Sequence, residues 1–266
     1  MEVKVIIHAH SNYSYDGKLT LRELRELCVS KGVQFVCMTE HTDEMTKESA
    51  EAFVKECEVL SDNTFRFIPG FEVPYKNAHI LMVGMRIFCE KYAPTIEVLR
   101  EWTKKAAFVI LAHPVRNHFD VDDGLLEEID ALEVWNQQYE GKRVPRTRSL
   151  RLLSELRIQK PLLLAVGGVD FHRREHFGSP LVSLNVSELT ESAILEKLTV
   201  GAYTVSSAHA TFFGTIPNID EVRIRYRWES FVSVAIIMCG KAVNKTLASL
   251  GLSLPMSLKQ LIRRRL

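Results

Sequence analysis

Residues 1–17 read MEVKVIIHAHSNYSYDG, a run of strand-forming side chains that ends in His8 and His10, with Asp16 six residues further on. Alternate side chains of a strand share a face, so the two imidazoles would stand side by side. That is what one divalent ion needs from two histidines. Taken alone, the pair reads equally well as two polar residues exposed at a strand end, so the rest of the chain must decide.

Apolar runs of strand length alternate with amphipathic segments of helix length. The strand candidates are VKVII (3–7), FVCMT (35–39), FRFIPG (65–70), HILMVG (79–84), AFVILA (107–112), DALEVW (130–135) and PLLLAVGG (161–168). Several are apolar almost throughout, as parallel strands covered on both faces are. The helix candidates are residues 20–32, 43–60, 95–106, 146–156 and 190–201. Thr20 and Glu23 have capping-box spacing, and Gly32 is placed to stop the first helix. Repeated β-α units imply a parallel sheet or a barrel, and no linker or internal repeat divides the chain. A single α/β domain is expected.

The strand ends carry the chemistry. His8 and His10 follow the first run, Glu40 and His41 the second, Glu72 the third, His113 the fifth, and Asp170 and His172 the last. In a β/α barrel the carboxyl ends of the strands converge on one mouth, so these residues would meet. Imidazole mixed with carboxylate suits Zn, Mn or Fe. There are more donors than one tetrahedral ion can use, which points to two or three metals. Such ions stand roughly 3.5–4 Å apart and stabilise both oxygens of a displacement, so hydrolysis of a phosphate ester is the natural reaction.

Composition bounds the alternatives. The chain has 266 residues, 46% hydrophobic and 25% charged, with a formal net charge of +1. Bulk charge therefore gives no argument for nucleic acid or an anionic membrane. The polar N-terminus runs straight into a strand, so no signal peptide is expected, and FVSVAIIMC (231–239) is too short to span a bilayer. Cys28, Cys37, Cys57, Cys89 and Cys239 are scattered and odd in number, which suggests reduced thiols and a cytoplasmic protein. From about Phe231 the chain carries Lys241, Lys245, Lys259, Arg263, Arg264 and Arg265 with no acidic residue. It is read as a basic helical segment, 231–266, packed on a domain spanning 1–230.

The motifs HAHSNYSYDG, TEH, PGFE, AHILMVG, AHP and GVDFHRREHFG together resemble the PHP family, the metal-dependent phosphoesterases named for polymerase and histidinol phosphatase. The resemblance runs from His8 to about Gly178, and more loosely to Gly201. It implies a distorted TIM-like barrel of seven strands, (β/α)7. It also implies a ligand set: His8, His10, Glu72 and Asp170 for one ion, Glu72 bridging to a second held by His79 and His113, and Asp16, His41 and His172 for a third. Glu40 stands where the family usually has Asp, and Phe171 replaces a smaller residue. Neither is an expected ligand, but both are larger and could reshape the pocket.

The mechanism that follows has a hydroxide bridging the first two ions as the nucleophile. Arg116, or Arg173 or Arg174, would grip the phosphate. His176 is a candidate acid for the leaving oxygen. His118 and His209 match no ligand position. Glu133 and Asn136 are expected to support the ligands from behind, and Tyr13 and Tyr15 lie near the mouth. The leading substrate class is a small phosphorylated molecule, such as a nucleotide or sugar phosphate. A 3′–5′ exonuclease or nucleotidase on phosphodiesters is the second reading, though no basic groove with aromatic platforms is evident. An amidohydrolase, whose barrel also opens with H-x-H, is a third.

Overall fold

The computed structural model describes residues 1–215 and, beyond them, positions 235, 238–240, 242–243, 245–246 and 249. The expected boundary at residue 230 and most of the basic segment 231–266 lie outside the described residues.

The first half of the chain supplies β1 (Glu2–Ala9), α1 (Leu21–Ser30), β2 (Phe35–Met38), β3 (Glu40–His41), α2 (Lys47–Val59), β4 (Arg66–Ile68), β5 (Gly70–Tyr75), β6 (Ala78–Val83), α3 (Ile96–Thr103) and β7 (Phe108–Leu111). After these come α4 (Asp123–Glu128), β8 (Ala131–Asn136), α5 (Gln137–Glu140), α6 (Thr147–Leu156) and β9 (Leu164–Gly168). A 3-10 turn (Arg174–His176) then leads to β10 (Leu181–Asn185), α7 (Glu191–Thr199), β11 (Tyr203–Ser206) and β12 (Thr211–Phe213). The capping box at α1 is formed: Thr20 Oγ1 accepts from Glu23 N–H, and the Glu23 carboxylate accepts from Thr20 N–H at 2.9 Å. Gly32 follows the helix with φ +70°, a conformation that costs glycine little.

The strands form two six-stranded sheets, ordered β12-β11-β10-β1-β2-β4 and β3-β5-β6-β7-β8-β9. This corrects the expected seven-stranded barrel: the fold is mixed α/β, and no closed barrel forms among the described residues. Two features account for the difference. β5 and β6 pair antiparallel, because Lys76 and Asn77 turn the chain directly back where a parallel crossover needs a dozen residues or more. β10, β11 and β12 add three further antiparallel strands beyond β1, which the apolar runs did not reveal.

The sheets meet on two sides. β2 runs into β3 through Thr39, and β4 into β5 through Pro69. On the other side Ala9 bridges Phe171 in parallel. There Val169 N–H donates to Ile7 O at 2.9 Å and Phe171 N–H to His8 O at 3.1 Å. Trp135, Phe35, Phe53, Phe65, Phe71, Phe108 and Phe171 fill the interior as fully buried side chains. Phe171 is thus a fully buried core residue, worth roughly 2–3 kcal/mol of apolar burial. Its burial clamps the Asp170–His172 segment against the end of β1. No helix among the described residues is long and apolar enough to cross a membrane.

Candidate metal centre

The residues of the H-x-H pair do not simply alternate along a regular strand. The β1–β2 register shifts between Ile7 and Ala9, and His8 takes the bulge with φ +66°. The bulge aims both rings at one atom. His8 Nε2 lies 3.1 Å and His10 Nε2 3.2 Å from Glu72 Oε2. His113, after β7, and Asp170, after β9, also adopt positive φ, +23° and +52°. Left-handed backbone costs a non-glycine residue about 1–2 kcal/mol, and here it is concentrated at three strand ends that face one another.

Glu72 is the centre of the cluster. Besides the two contacts to Oε2, its Oε1 lies 2.5 Å from His79 Nδ1 and 2.9 Å from His113 Nε2. His79 reaches this oxygen because the β5–β6 hairpin places it opposite Pro74, on the strand next to Glu72. Asp170 Oδ1 stands 3.4 Å from His8 Nε2 and 3.5 Å from His10 Nε2. Asp16 Oδ2 lies 2.9 Å from His172 Nε2 and 3.6 Å from His41 Nε2. Gly17 makes that loop possible, since a Cβ there would fall 1.8 Å from Ser11 O. Every residue named as a ligand from the sequence is therefore in one place. The three sets merge: His10 also groups with His41 and His172, and His41 with Glu72 and His79.

The electrostatics are those of a site short of positive charge. Burial opposes protonation of His8, but Asp170, Glu133 and Glu72 hold its pKa well above the ordinary value. Burial likewise opposes protonation of His10, but the adjacent Asp170 and Glu72 carboxylates raise it to about 9. Burial would raise Glu72 and Asp170, yet the surrounding imidazoles push both carboxyls far down. Protons on histidine here do the work that a cation would do. His10 Nε2, His41 Nδ1, His113 Nδ1 and Asp16 Oδ1 are buried with no hydrogen-bond partner. Buried polar atoms normally have one, so the unpartnered His10 Nε2 and His41 Nδ1, both turned toward Glu72 Oε2, fit a metal cluster.

Behind the ligands, Glu133 is fully buried. It accepts from His8 Nδ1 at 2.9 Å, from His113 N–H at 2.6 Å and from Asn136 Nδ2 at 3.0 Å. Asn136 Nδ2 also donates to Asp170 Oδ2 at 3.2 Å. Their place at a strand end in LEVWNQQYEG, and the resemblance of that segment to a recurring one of the family, signalled both. Arg116 is exposed, with Nη1 2.6 Å from His79 Nε2. His176 Nδ1 accepts from His172 N–H at 3.2 Å, and burial together with His172 and Arg173 lowers its pKa to about 4. Tyr15 is half exposed and stacks on His41, with centroids 5.1 Å apart. Tyr13 instead packs on Phe53 and donates to Glu56 at 2.8 Å. Arg173, Arg174 and His118 are exposed.

The chain resembles known proteins. It is 31% identical over 80 residues to the DNA polymerase/3′-5′ exonuclease PolX of Bacillus subtilis, a match covering 27% of this chain and 14% of PolX. It therefore spans a small part of that relative's length. Its fold is similar to a two-domain protein from Bacteroides vulgatus containing a predicted PHP-like metal-dependent phosphoesterase, with TM-score 0.58, 14% identity, and coverage of 78% of this chain and 65% of that one. PsfC from Pseudomonas syringae is similar too, with TM-score 0.56, 14% identity, and coverage of 86% and 98%. The sequence signature of the PHP domain matches residues 7–150, just over half of the chain, including His8, Glu72 and His113. With its motifs, its clustered donors and this match in agreement, the chain belongs to the PHP domain family of metal-dependent phosphoesterases.

Proposed function

We propose that the chain hydrolyses phosphomonoesters of small molecules or nucleotides with two or three divalent ions, Mn, Zn or Fe. His8, His10, Glu72 and Asp170 hold the first, Glu72, His79 and His113 the second, and Asp16, His41 and His172 the third. The observation that carries this reading is the split of Glu72, one oxygen facing His8 and His10 and the other His79 and His113. A carboxylate divided in this way suits a bridge between two ions. When bound, such ions lower the pKa of a water and neutralise charge on the phosphoryl group.

The protein's own residues orient and discriminate. His8, His10, Glu72 and Asp170 fix the place where the attacking oxygen forms. Arg116, beside His79 at the edge of the cluster, grips a phosphoryl oxygen outside the reacting bond, as a guanidinium does well. In this reading His176 is not the acid considered for it from sequence. Its Nδ1 is committed to His172 N–H, and its low pKa leaves it neutral near pH 7. We assign it to holding the His172 loop. The free thiols, three of them buried, support a cytoplasmic setting.

The test is phosphate release near neutral pH with Mn²⁺ across nucleoside monophosphates, sugar phosphates, histidinol phosphate and a short oligonucleotide. Monoester turnover that disappears in His8→Ala supports the proposal. The PolX likeness favours a second reading, cleavage of phosphodiesters, and activity on the oligonucleotide alone would select it. Silence across the panel from metal-loaded protein would overturn both and return the amidohydrolase reading.

A further inference from the structure

Glu40, the residue that lengthens the TEH motif, is fully buried and forms no ion pair among the described residues. Such a group is tolerated inside a protein when donors surround it. Here they come from a single loop. Glu40 Oε1 accepts from Ser11 N–H at 2.9 Å and from Ser11 Oγ at 2.6 Å, and Oε2 accepts from Ser14 Oγ at 2.5 Å.

The direction of that last bond has a consequence for the metal centre. Ser14 has one hydroxyl hydrogen, and it is committed to Glu40. Its oxygen can then only accept, which it does from His41 N–H at 2.9 Å and from His10 Nδ1 at 3.3 Å. In its neutral, metal-binding form His10 must therefore keep its proton on Nδ1, which leaves Nε2 free to face an ion. That nitrogen is buried without a hydrogen-bond partner, 3.2 Å from Glu72 Oε2 and 3.5 Å from Asp170 Oδ1. The arrangement repeats what Glu133 does directly for His8, whose Nδ1 it binds together with His113 N–H. Each buried carboxylate thus fixes one imidazole of the H-x-H pair and the backbone of a histidine on another strand.

We propose that Glu40 and Ser14 are positioning residues that set the tautomer of His10 and the placement of His41 for metal binding. This rests on the metal-site reading above and deepens it. The length of Glu40 is used in reaching the 11–14 loop, and none of its side chain is exposed to a substrate.

Three variants test it by competitive titration of the full chain with Zn²⁺ against a chelating dye. Ser14→Ala removes the relay oxygen. Glu40→Gln offers Ser14 an amide donor in place of an acceptor, which turns the hydroxyl toward His10 Nδ1 and moves that ring's proton to Nε2. Both are expected to weaken zinc binding about 10–100-fold, the usual effect of losing a group that orients a ligand. Glu40→Asp keeps an acceptor-only side chain and is expected to retain more affinity than Glu40→Gln. Wild-type affinity in folded Glu40→Gln overturns the proposal, as does an equal loss in Glu40→Asp and Glu40→Gln, which would mean that shape alone matters. If Ser14→Ala does not fold, the two Glu40 variants still decide. Wild-type protein that binds no zinc would instead overturn the metal-site reading itself.

Discussion

The Glu133 carboxylate accepts the Nδ1–H of His8 at 2.9 Å with both side chains sealed from solvent. Glu133→Ala strands that donor and His113 N–H together. Each unpaired buried group costs roughly 1–3 kcal/mol, and loss of ligand support typically lowers activity or metal affinity about 10–100-fold. Urea unfolding and kcat measured on the same preparation should both move. A kcat within twofold of wild type would argue against the role.

Gly168 is where β9 passes the same pair. A Cβ there would fall 1.8 Å from Glu133 Oε1 and 2.9 Å from His8 Cβ. Gly168→Ala is expected to displace both, with a stability loss of about 1–3 kcal/mol for the overpacked interior and loss of metal binding. Calorimetry with and without added Mn²⁺ reads the two effects separately.

Metal binding should strengthen as pH rises. His8 and His10 are raised in the metal-free protein, His10 to about 9, so an ion must displace their protons below that pH. Apparent affinity is therefore lowest in acid and climbs until about pH 9, with protons released to the buffer. Isothermal titration in buffers of different ionisation enthalpy measures the release directly. No dependence on buffer would contradict it.

Glu140 makes a separate pH prediction away from the centre. Burial pushes its carboxyl up to about 8, and the Ser149 hydroxyl and Arg146 only partly oppose this. The folded pKa lies above the ordinary value of 4.5, so the stabilising contribution is complete below that value and fades as pH rises toward 8. Glu140→Gln should melt higher than wild type at pH 9, and the gap should narrow toward pH 5. A gap that stays constant from pH 5 to 9 would refute it.

Asp170→Asn is the mildest way to disable the centre. Asparagine tolerates the left-handed backbone that Asp170 adopts, φ +52°. The variant should fold with a melting temperature close to wild type while hydrolysis falls by a hundredfold or more. Retained turnover would remove Asp170 from the first ion.

Strand ends and motifs made the candidate ligands legible in the sequence, because a His, Asp or Glu at one strand end is ordinary but its recurrence at five of them is hard to obtain by accident. The direction of the strands was not legible. HILMVG has the same composition whether it runs parallel or antiparallel, and only the Lys76–Asn77 turn decides. β10 to β12 were missed because their burial alternates with exposure, as in LVSLN, and lacks the continuous apolar run that marked the others. Glu40 looked like a pocket residue beside His41. Its burial depends on Ser11 and Ser14, whose approach requires the backbone bend at Gly17.

The left-handed residues at the ends of β1, β7 and β9 have a consequence for anyone improving this protein by selection. His8, His113 and Asp170 occupy backbone that glycine or asparagine would accept more readily. A library screened for heat resistance alone exerts no pressure to keep Asp170 over asparagine and so can drift toward robust, inert variants. Keeping catalysis in the screen is what holds the three side chains in place.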